Sequence, residues 1–164
     1  MIVDFRELGI SEDLTGLLKK NGITVPTPVQ EQSIQYIRSG RDLIAQAQTG
    51  TGKTLAFLLP LFEDIDISKD QIQVLIMTPT RELAIQITNE AEKLREYKDI
   101  NILAAYGGRD IGSQLRKLKK SIHMVIATPG RLIDHILRKS IDLGSVNTFV
   151  LDEADQMLMM GFRN

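Results

Sequence analysis

Eight residues, Ala47-Gln48-Thr49-Gly50-Thr51-Gly52-Lys53-Thr54, restrict the possible folds of this chain more than any other stretch. The run before them, Asp42-Leu43-Ile44-Ala45-Gln46, reads as a short buried strand, and Leu55-Ala56-Phe57-Leu58-Leu59 reads as the opening of a helix. Strand, tight loop and helix form the context of a phosphate-binding loop. Glycine lets the backbone curl around an anion with no Cβ in the way, so several N–H groups converge on it. The helix N-terminus adds partial positive charge at the same point. Lys53 can reach the terminal phosphates, and Thr54 offers a hydroxyl to a magnesium ion. Ala47 stands where the strict pattern has glycine. The plainer alternative is a glycine-containing turn with an exposed lysine, but context, both glycines and the Lys-Thr pair favour a nucleoside triphosphate.

At 164 residues, the chain is long enough for one domain burying roughly 70% of its unfolded surface. No apolar run approaches the ~18 residues of a membrane span, and no signal-peptide pattern opens the chain. The absence of cysteine excludes disulfides and thiolate metal sites, and suits a reducing cytoplasm. His123 and His135 alone cannot build a zinc site, so a metal here should be magnesium on oxygen ligands. A net charge of −1 argues against a uniformly basic coat, so any nucleic-acid contact must come from a local patch.

Along the chain, Ser11 is placed to cap a short helix that Asn21-Gly22 stops. Thr27 is a natural N-cap, Pro28 suits the first helical position, and Gln30 sits where a capping-box glutamine would. After the loop, strands are expected near Gln73–Thr78, Ile100–Tyr106, His123–Thr128 and Thr148–Asp152. Helices are expected near Arg81–Tyr97, Ile111–Lys120 and Arg131–Lys139; in the first, Leu83, Ile87, Ala91 and Leu94 recur at helical spacing. This alternation implies an α/β fold: an open, mostly parallel sheet with helices on both faces. Short loops such as Asp64–Asp70 offer no internal domain boundary.

Two segments echo each other. Thr78-Pro79-Thr80-Arg81 and Thr128-Pro129-Gly130-Arg131 each follow a strand and open a helix, and Tyr106-Gly107-Gly108-Arg109 ends a third strand in a similar way. Taken singly, a Thr-Pro helix start is a cap. Three anion-ready ends on the carboxyl edge of one sheet fit spaced phosphates, such as a nucleic-acid backbone supplies. The basic run Arg116, Lys117, Lys119 and Lys120 reads more simply as a solvated helix face. Finally, Thr148-Phe149-Val150-Leu151 runs into Asp152-Glu153-Ala154-Asp155. Two acids at the end of a buried apolar strand are costly unless they hold a cation or partners. With a phosphate loop upstream, the economical reading gives magnesium to Asp152 and the attacking water to Glu153.

Together these residues resemble the DEAD-box family of ATP-dependent RNA helicases, in the first of its two RecA-like P-loop domains. Asp152-Glu153-Ala154-Asp155 is similar to the motif that names the family, and Ala47 to Thr54 to its first nucleotide motif. Pro79-Thr80-Arg81-Glu82-Leu83-Ala84, Gly107-Gly108 and Thr128-Pro129-Gly130-Arg131 resemble its RNA-backbone motifs, in order. Gly22 to Gln30 resembles its adenine-reading segment, with Phe5 as the upstream aromatic; Ile23 and Val29 depart from the usual residues there. The resemblance turns Gln30 from a cap into a reader of adenine, with Thr27 helping to place it.

The resemblance implies ATP held by the loop amides and Lys53, magnesium by Thr54 and Asp152, water by Glu153, and Asp155 coupling the nucleotide to other motifs. RNA would lie over Thr80, Arg81, Gly107, Gly108, Gly130 and Arg131, with Pro79, Arg109, Thr128 and Pro129 flanking, through sequence-tolerant backbone contacts. It also implies a longer protein, with a Ser-Ala-Thr motif and a second RecA-like domain beyond Asn164. Without that following strand the sheet should carry a gap, and this piece alone should bind ATP weakly and unwind nothing. A DNA helicase or translocase shares the loop and acidic motif but usually lacks the Gln30 segment. A small-molecule kinase would want an arginine lid. A non-catalytic RNA-binding fragment is the third alternative.

Overall fold

The computed structural model describes residues 3–161, which fall into two compact units. The first comprises residues up to Asp64 together with Lys93–Asp99; the second comprises Ile65–Glu92 and the residues from Ile100 onward.

In the first unit a 3-10 turn, Phe5–Leu8, precedes helices α1 (Glu12–Lys20), α2 (Pro28–Arg38) and α3 (Lys53–Asp64). Ser11 caps α1, its hydroxyl accepting from the Leu14 N–H at 3.3 Å, and α1 buries Leu14, Leu17 and Leu18. Pro28 occupies the first position of α2, where a missing N–H costs nothing. α2 packs against α3, whose buried stripe includes Leu58, Leu59 and Phe62. Glu63 ties the chain's early and late parts of this unit together. Its carboxylate accepts from the Ser11 N–H at 2.8 Å and from the Tyr97 hydroxyl at 2.9 Å, while its carbonyl accepts from Lys98.

The expected strand at Asp42 to Gln46 does not form. Residues 41–48 carry no strand, and Leu43 and Ile44 are exposed, Ile44 completely. Apolar content alone does not make a strand: its N–H and C=O groups need a neighbouring strand, and among the described residues none pairs there.

The second unit carries a parallel four-stranded sheet in the order β2-β3-β1-β4, with β1 Val74–Met77, β2 Ile102–Ala105, β3 Met124–Ala127 and β4 Thr148–Leu151. Each strand is shorter than expected by one or two residues at an end. Helices α4 (Arg81–Leu94), α5 (Ile111–Lys117), α6 (Pro129–Leu137) and α7 (Ala154–Met159) follow the strands in turn. In-register pairs such as Leu75↔Val125 and Leu103↔Val125 put alternate side chains on one face. There they form a core with Leu132, Ile122 and Ile72, edged by Leu118, Ile141 and Val146. The opposite face, with Val74, Ile76, Ile102, Met124 and Ile126, is buried as well. Both faces of β1, β2 and β3 are thus covered, as parallel sheets require.

β4 departs from the expected buried strand. Phe149 is 54% exposed and Leu151 42%, because β4 ends the sheet and nothing among the described residues pairs with its outer edge. β4 is therefore an edge strand of the described sheet; with no strand at residues 41–48, no gap between two strands is seen.

Candidate functional site

In the first unit the loop expected to bind phosphate takes its shape from two left-handed glycines, Gly50 at φ 81 and Gly52 at φ 89. That region is strained for any residue with a Cβ. Thr51 Oγ1 donates to the Gln48 carbonyl at 2.6 Å, closing the turn, and Lys53 and Thr54 open α3 directly afterwards. Their backbone N–H groups belong to the first helical turn, which lacks intrahelical acceptors.

Gln30 meets this loop. Its Oε1 accepts from the Thr27 N–H at 2.9 Å, which is the capping-box bond, and its Nε2 donates to the Gly52 carbonyl at 3.1 Å. A Cβ on Gly52 would lie 2.5 Å from Gln30 Nε2 and 2.9 Å from Thr27 Oγ1. Gly52 therefore serves a second purpose beyond its φ: it admits the glutamine. The structure brings Thr27, Gln30 and the phosphate loop together and leaves Gln30 only 2% exposed, with both ends of its amide engaged. Phe5 is fully buried in the core of this unit and presents no surface to a ligand in this conformation.

In the second unit the three strand ends form an arginine-flanked cluster. Arg81, the first residue of α4, lies over the Tyr106 ring at 5.7 Å, and Arg109 lies over the same ring at 5.4 Å. Tyr106 itself is 5% exposed, a fixed platform that holds two cations near the surface. Gly108, at φ 81, sits where any Cβ would collide with the Arg81 guanidinium. Arg131 Nη1 donates to the Arg109 carbonyl at 3.1 Å, joining the start of α6 to the Gly107-Gly108 turn. Thr80 Oγ1 accepts from the Leu83 N–H at 3.3 Å, whereas Pro79 and Pro129 are buried. Thr128 is the N-cap of α6, and Gly130 is exposed with open space where a Cβ would be. The structure thus gathers Arg81, Gly108, Arg109 and Arg131 into one group, with Thr80 and Thr128 heading the two helices.

The acidic motif follows β4 in the same unit. The Glu153 N–H donates to Asp152 Oδ1 at 3.1 Å, and Glu153 adopts φ 53, ψ 47 as the N-cap of α7. A left-handed glutamate is uncommon and costs roughly 1–2 kcal/mol. Asp155 lies in the first turn of α7 and is exposed.

Sequence reasoning missed Tyr106 as a platform and Gln114 altogether, and weighed His135 only as a metal ligand, not as a buried hydrogen-bonding residue. Gln114 and His135 are buried polar residues, at 3% and 0% exposure. The signal was available: His135 falls three residues after Leu132, on the apolar stripe of its helix, and Gln114 falls four before Leu118. Burial lowers the pKa of His135, helped by Arg131 and Arg138 and opposed by Asp134. The ring is therefore held neutral.

A four-stranded parallel sheet whose strands alternate with helices, in a chain that also carries a Gly50-Thr51-Gly52-Lys53 loop and an acid pair after a strand, marks a RecA-like α/β fold. The profile of the DEAD/DEAH box helicase family matches residues 27–164, and the chain belongs to that family. It is 50% identical over 158 residues to the DEAD-box ATP-dependent RNA helicase CshA of Bacillus cereus, a match covering 96% of this chain and 30% of that protein. Against the CshA of Bacillus subtilis the identity is 48% over 99% of this chain and 33% of the relative. A crystal structure of a DEAD box protein from the hyperthermophile Methanococcus jannaschii superposes with a TM-score of 0.89 at 40% identity, over 98% of this chain and 44% of that one. The chain thus spans about a third of the length of the curated relatives it matches. Among the described residues no helix is long and apolar enough to cross a membrane.

Proposed function

We propose that this chain is the first RecA-like domain of a cytoplasmic ATP-dependent RNA helicase, and that it binds ATP and an RNA backbone. What carries the reading is the presence, in one chain of the helicase family, of a Gln30-locked phosphate loop and an arginine-flanked strand edge.

Loop amides and Lys53 hold the triphosphate, and the developing charge is met by groups already in place. The donor set suits magnesium: Thr54 offers a hydroxyl and Asp152 a carboxylate, both hard oxygen ligands, and magnesium on a nucleotide needs few protein ligands besides phosphate and water. When bound, the ion neutralises phosphate charge. Glu153 positions the water that attacks the γ-phosphate, and Asp155 links the nucleotide to neighbouring motifs. Gln30 reads adenine by exchanging its bond to the Gly52 carbonyl for bonds to the base, while Thr27 keeps α2 in place and Phe5 anchors the segment through the core.

RNA runs over Thr80, Arg81, Gly107, Gly108, Arg109, Thr128, Gly130 and Arg131, with Pro79 and Pro129 fixing the helix starts. Contacts there go to sugar and phosphate, so binding is sequence-tolerant and weakens with salt. Duplex separation needs a second RecA-like domain, for which the relatives' greater length leaves room. The 164 residues alone bind ATP weakly, because residues 41–48 give the loop no strand to hang from.

ATP turnover of the intact protein, measured without nucleic acid, with RNA and with DNA, tests this. The reading expects stimulation by RNA. Equal stimulation by DNA, or none by either, overturns it.

A further inference from the structure

Two buried polar side chains of the second unit have no part in the chemistry above. His135 Nε2 lies 2.7 Å from Gln114 Oε1, and His135 Nδ1 lies 2.8 Å from Ser140 Oγ. Gln114 Nε2 donates to the Tyr106 carbonyl at 3.2 Å. That bond fixes the orientation of the amide, because a carbonyl oxygen can only accept. Oε1 is then left facing His135 and can only accept too, so His135 Nε2 carries the proton. In the neutral ring Nδ1 is then an acceptor, and the Ser140 hydroxyl donates to it at 2.8 Å in preference to the His135 carbonyl, which lies 3.1 Å from the same oxygen. The turn that returns Ser140 to the ring is equally determined. Lys139 adopts φ 54, its N–H donates to the Ile136 carbonyl at 3.0 Å, and the Ser140 N–H donates to the His135 carbonyl at 3.1 Å. These are the paired bonds of a Schellman helix ending.

The chain of bonds joins two segments assigned to RNA. Tyr106 leads directly into Gly107-Gly108-Arg109, and His135 belongs to the helix that opens at Thr128 to Arg131. At the surface the same two segments are joined by Arg131 and the Arg109 carbonyl. The exposed link is open to water, whereas the Gln114–His135 bond is buried. A buried polar network tolerates little drift, because any misalignment leaves a donor or acceptor unsatisfied away from solvent.

We propose that Gln114 and His135 are positioning residues for RNA binding: the chain from the Tyr106 carbonyl through Gln114 and His135 to Ser140 holds the Gly107–Arg109 turn and the start of α6 at a fixed separation, so that both engage one RNA backbone together. The proposal rests on the assignment of those two segments to RNA made above.

The test uses the intact protein carrying Gln114→Met or His135→Phe, which keep bulk and remove the bonds. The control is Gln73→Met. Gln73 is a glutamine of similar burial in the same unit, whose amide bonds the Asp66 backbone at 2.8 and 2.9 Å. RNA affinity, KM for ATP and thermal midpoint are measured for each, with Arg131→Ala as the reference for RNA contact. Gln114→Met and His135→Phe should lower RNA affinity by roughly fivefold to twentyfold with KM for ATP unchanged, the size of losing a buried hydrogen bond. Gln73→Met should lose comparable thermal stability and keep its RNA affinity. An equal RNA loss in Gln73→Met, or parental RNA affinity in both variants while Arg131→Ala binds weakly, overturns the positioning role alone. Parental affinity in Arg131→Ala overturns the RNA assignment beneath it. Nitrogen NMR of the unsubstituted protein supplies a readout independent of any variant's folding: a neutral Nε2–H tautomer of His135 is expected, and an Nδ1–H tautomer or an imidazolium at neutral pH overturns the chain.

Discussion

Gly107 and Gly108 are neighbours with opposite tolerances. Gly107 has open space around a would-be Cβ, whereas Gly108 combines φ 81 with a collision against Arg81. Gly107→Ala should therefore leave stability within about 0.5 kcal/mol of the parent. Gly108→Ala should cost about 1–2 kcal/mol for the left-handed backbone alone, and should weaken RNA binding as well, because Arg81 must move off its place beside Tyr106. Denaturant midpoints and RNA titrations of the pair would check this, and equal behaviour would contradict it. Lys53→Ala removes the side chain that reaches the terminal phosphates. It should lower ATP affinity by at least about tenfold, the worth of a charge-assisted hydrogen bond, with retained affinity in a calorimetric titration counting against the phosphate-loop assignment.

At the scale of elements, α2 shows how one residue can be both scaffold and reader. Gln30 caps its own helix through Thr27 and fastens that helix to the phosphate loop through the Gly52 carbonyl. Gln30→Ala should cost about 1–3 kcal/mol of stability for two lost bonds, one of them to a partly buried carbonyl. It should also narrow the preference for ATP over GTP, measured as the ratio of kcat/KM for the two. Gln30→Glu separates the roles, since it retains an acceptor for Thr27 and loses the donor to Gly52. The helix starts were legible because their chemistry is local: Ser11, Thr27-Pro28 and Thr128-Pro129 announce themselves in three or four residues. Pairing is not local. The run at Asp42 to Gln46 has strand composition but no partner, and β4 has a partner on one side only, so neither its burial nor that of Phe149 could be read from the chain itself. The left-handed Glu153 was hidden for a related reason, because nothing in its side chain prefers that backbone.

For the molecule as a whole, acid stability should carry the mark of one histidine. Burial holds the folded pKa of His135 below its ordinary value, so between the folded pKa and about 6.5 the unfolded chain binds a proton that the native chain refuses. Its contribution is present above about 6.5 and is lost as the pH falls through the folded pKa. Asp4, held at about 2 by its hydrogen bonds to Arg6, contributes above its ordinary value of 3.8 and loses this only as the pH falls toward 2. Unfolding midpoints between pH 5 and pH 8 should decline toward acid in the parent and decline less in His135→Phe; identical slopes would show that the ring is not buried neutral. The parallel order of the alternating strands and helices, and membership of the helicase family, were legible in the sequence because the motifs occur in a fixed order along it. The His135 chain was not, because Gln114, His135 and Ser140 lie on separate segments that only the fold brings together.

The direct test of the central claim is the single-turnover hydrolysis rate of ATP bound to the intact protein with RNA present, compared between the parent and Glu153→Gln. If Glu153 positions the water while Lys53 and the loop amides hold the triphosphate, the variant retains ATP with affinity near the parent's and hydrolyses it at least about a hundredfold more slowly. Hydrolysis at the parental rate would contradict that account.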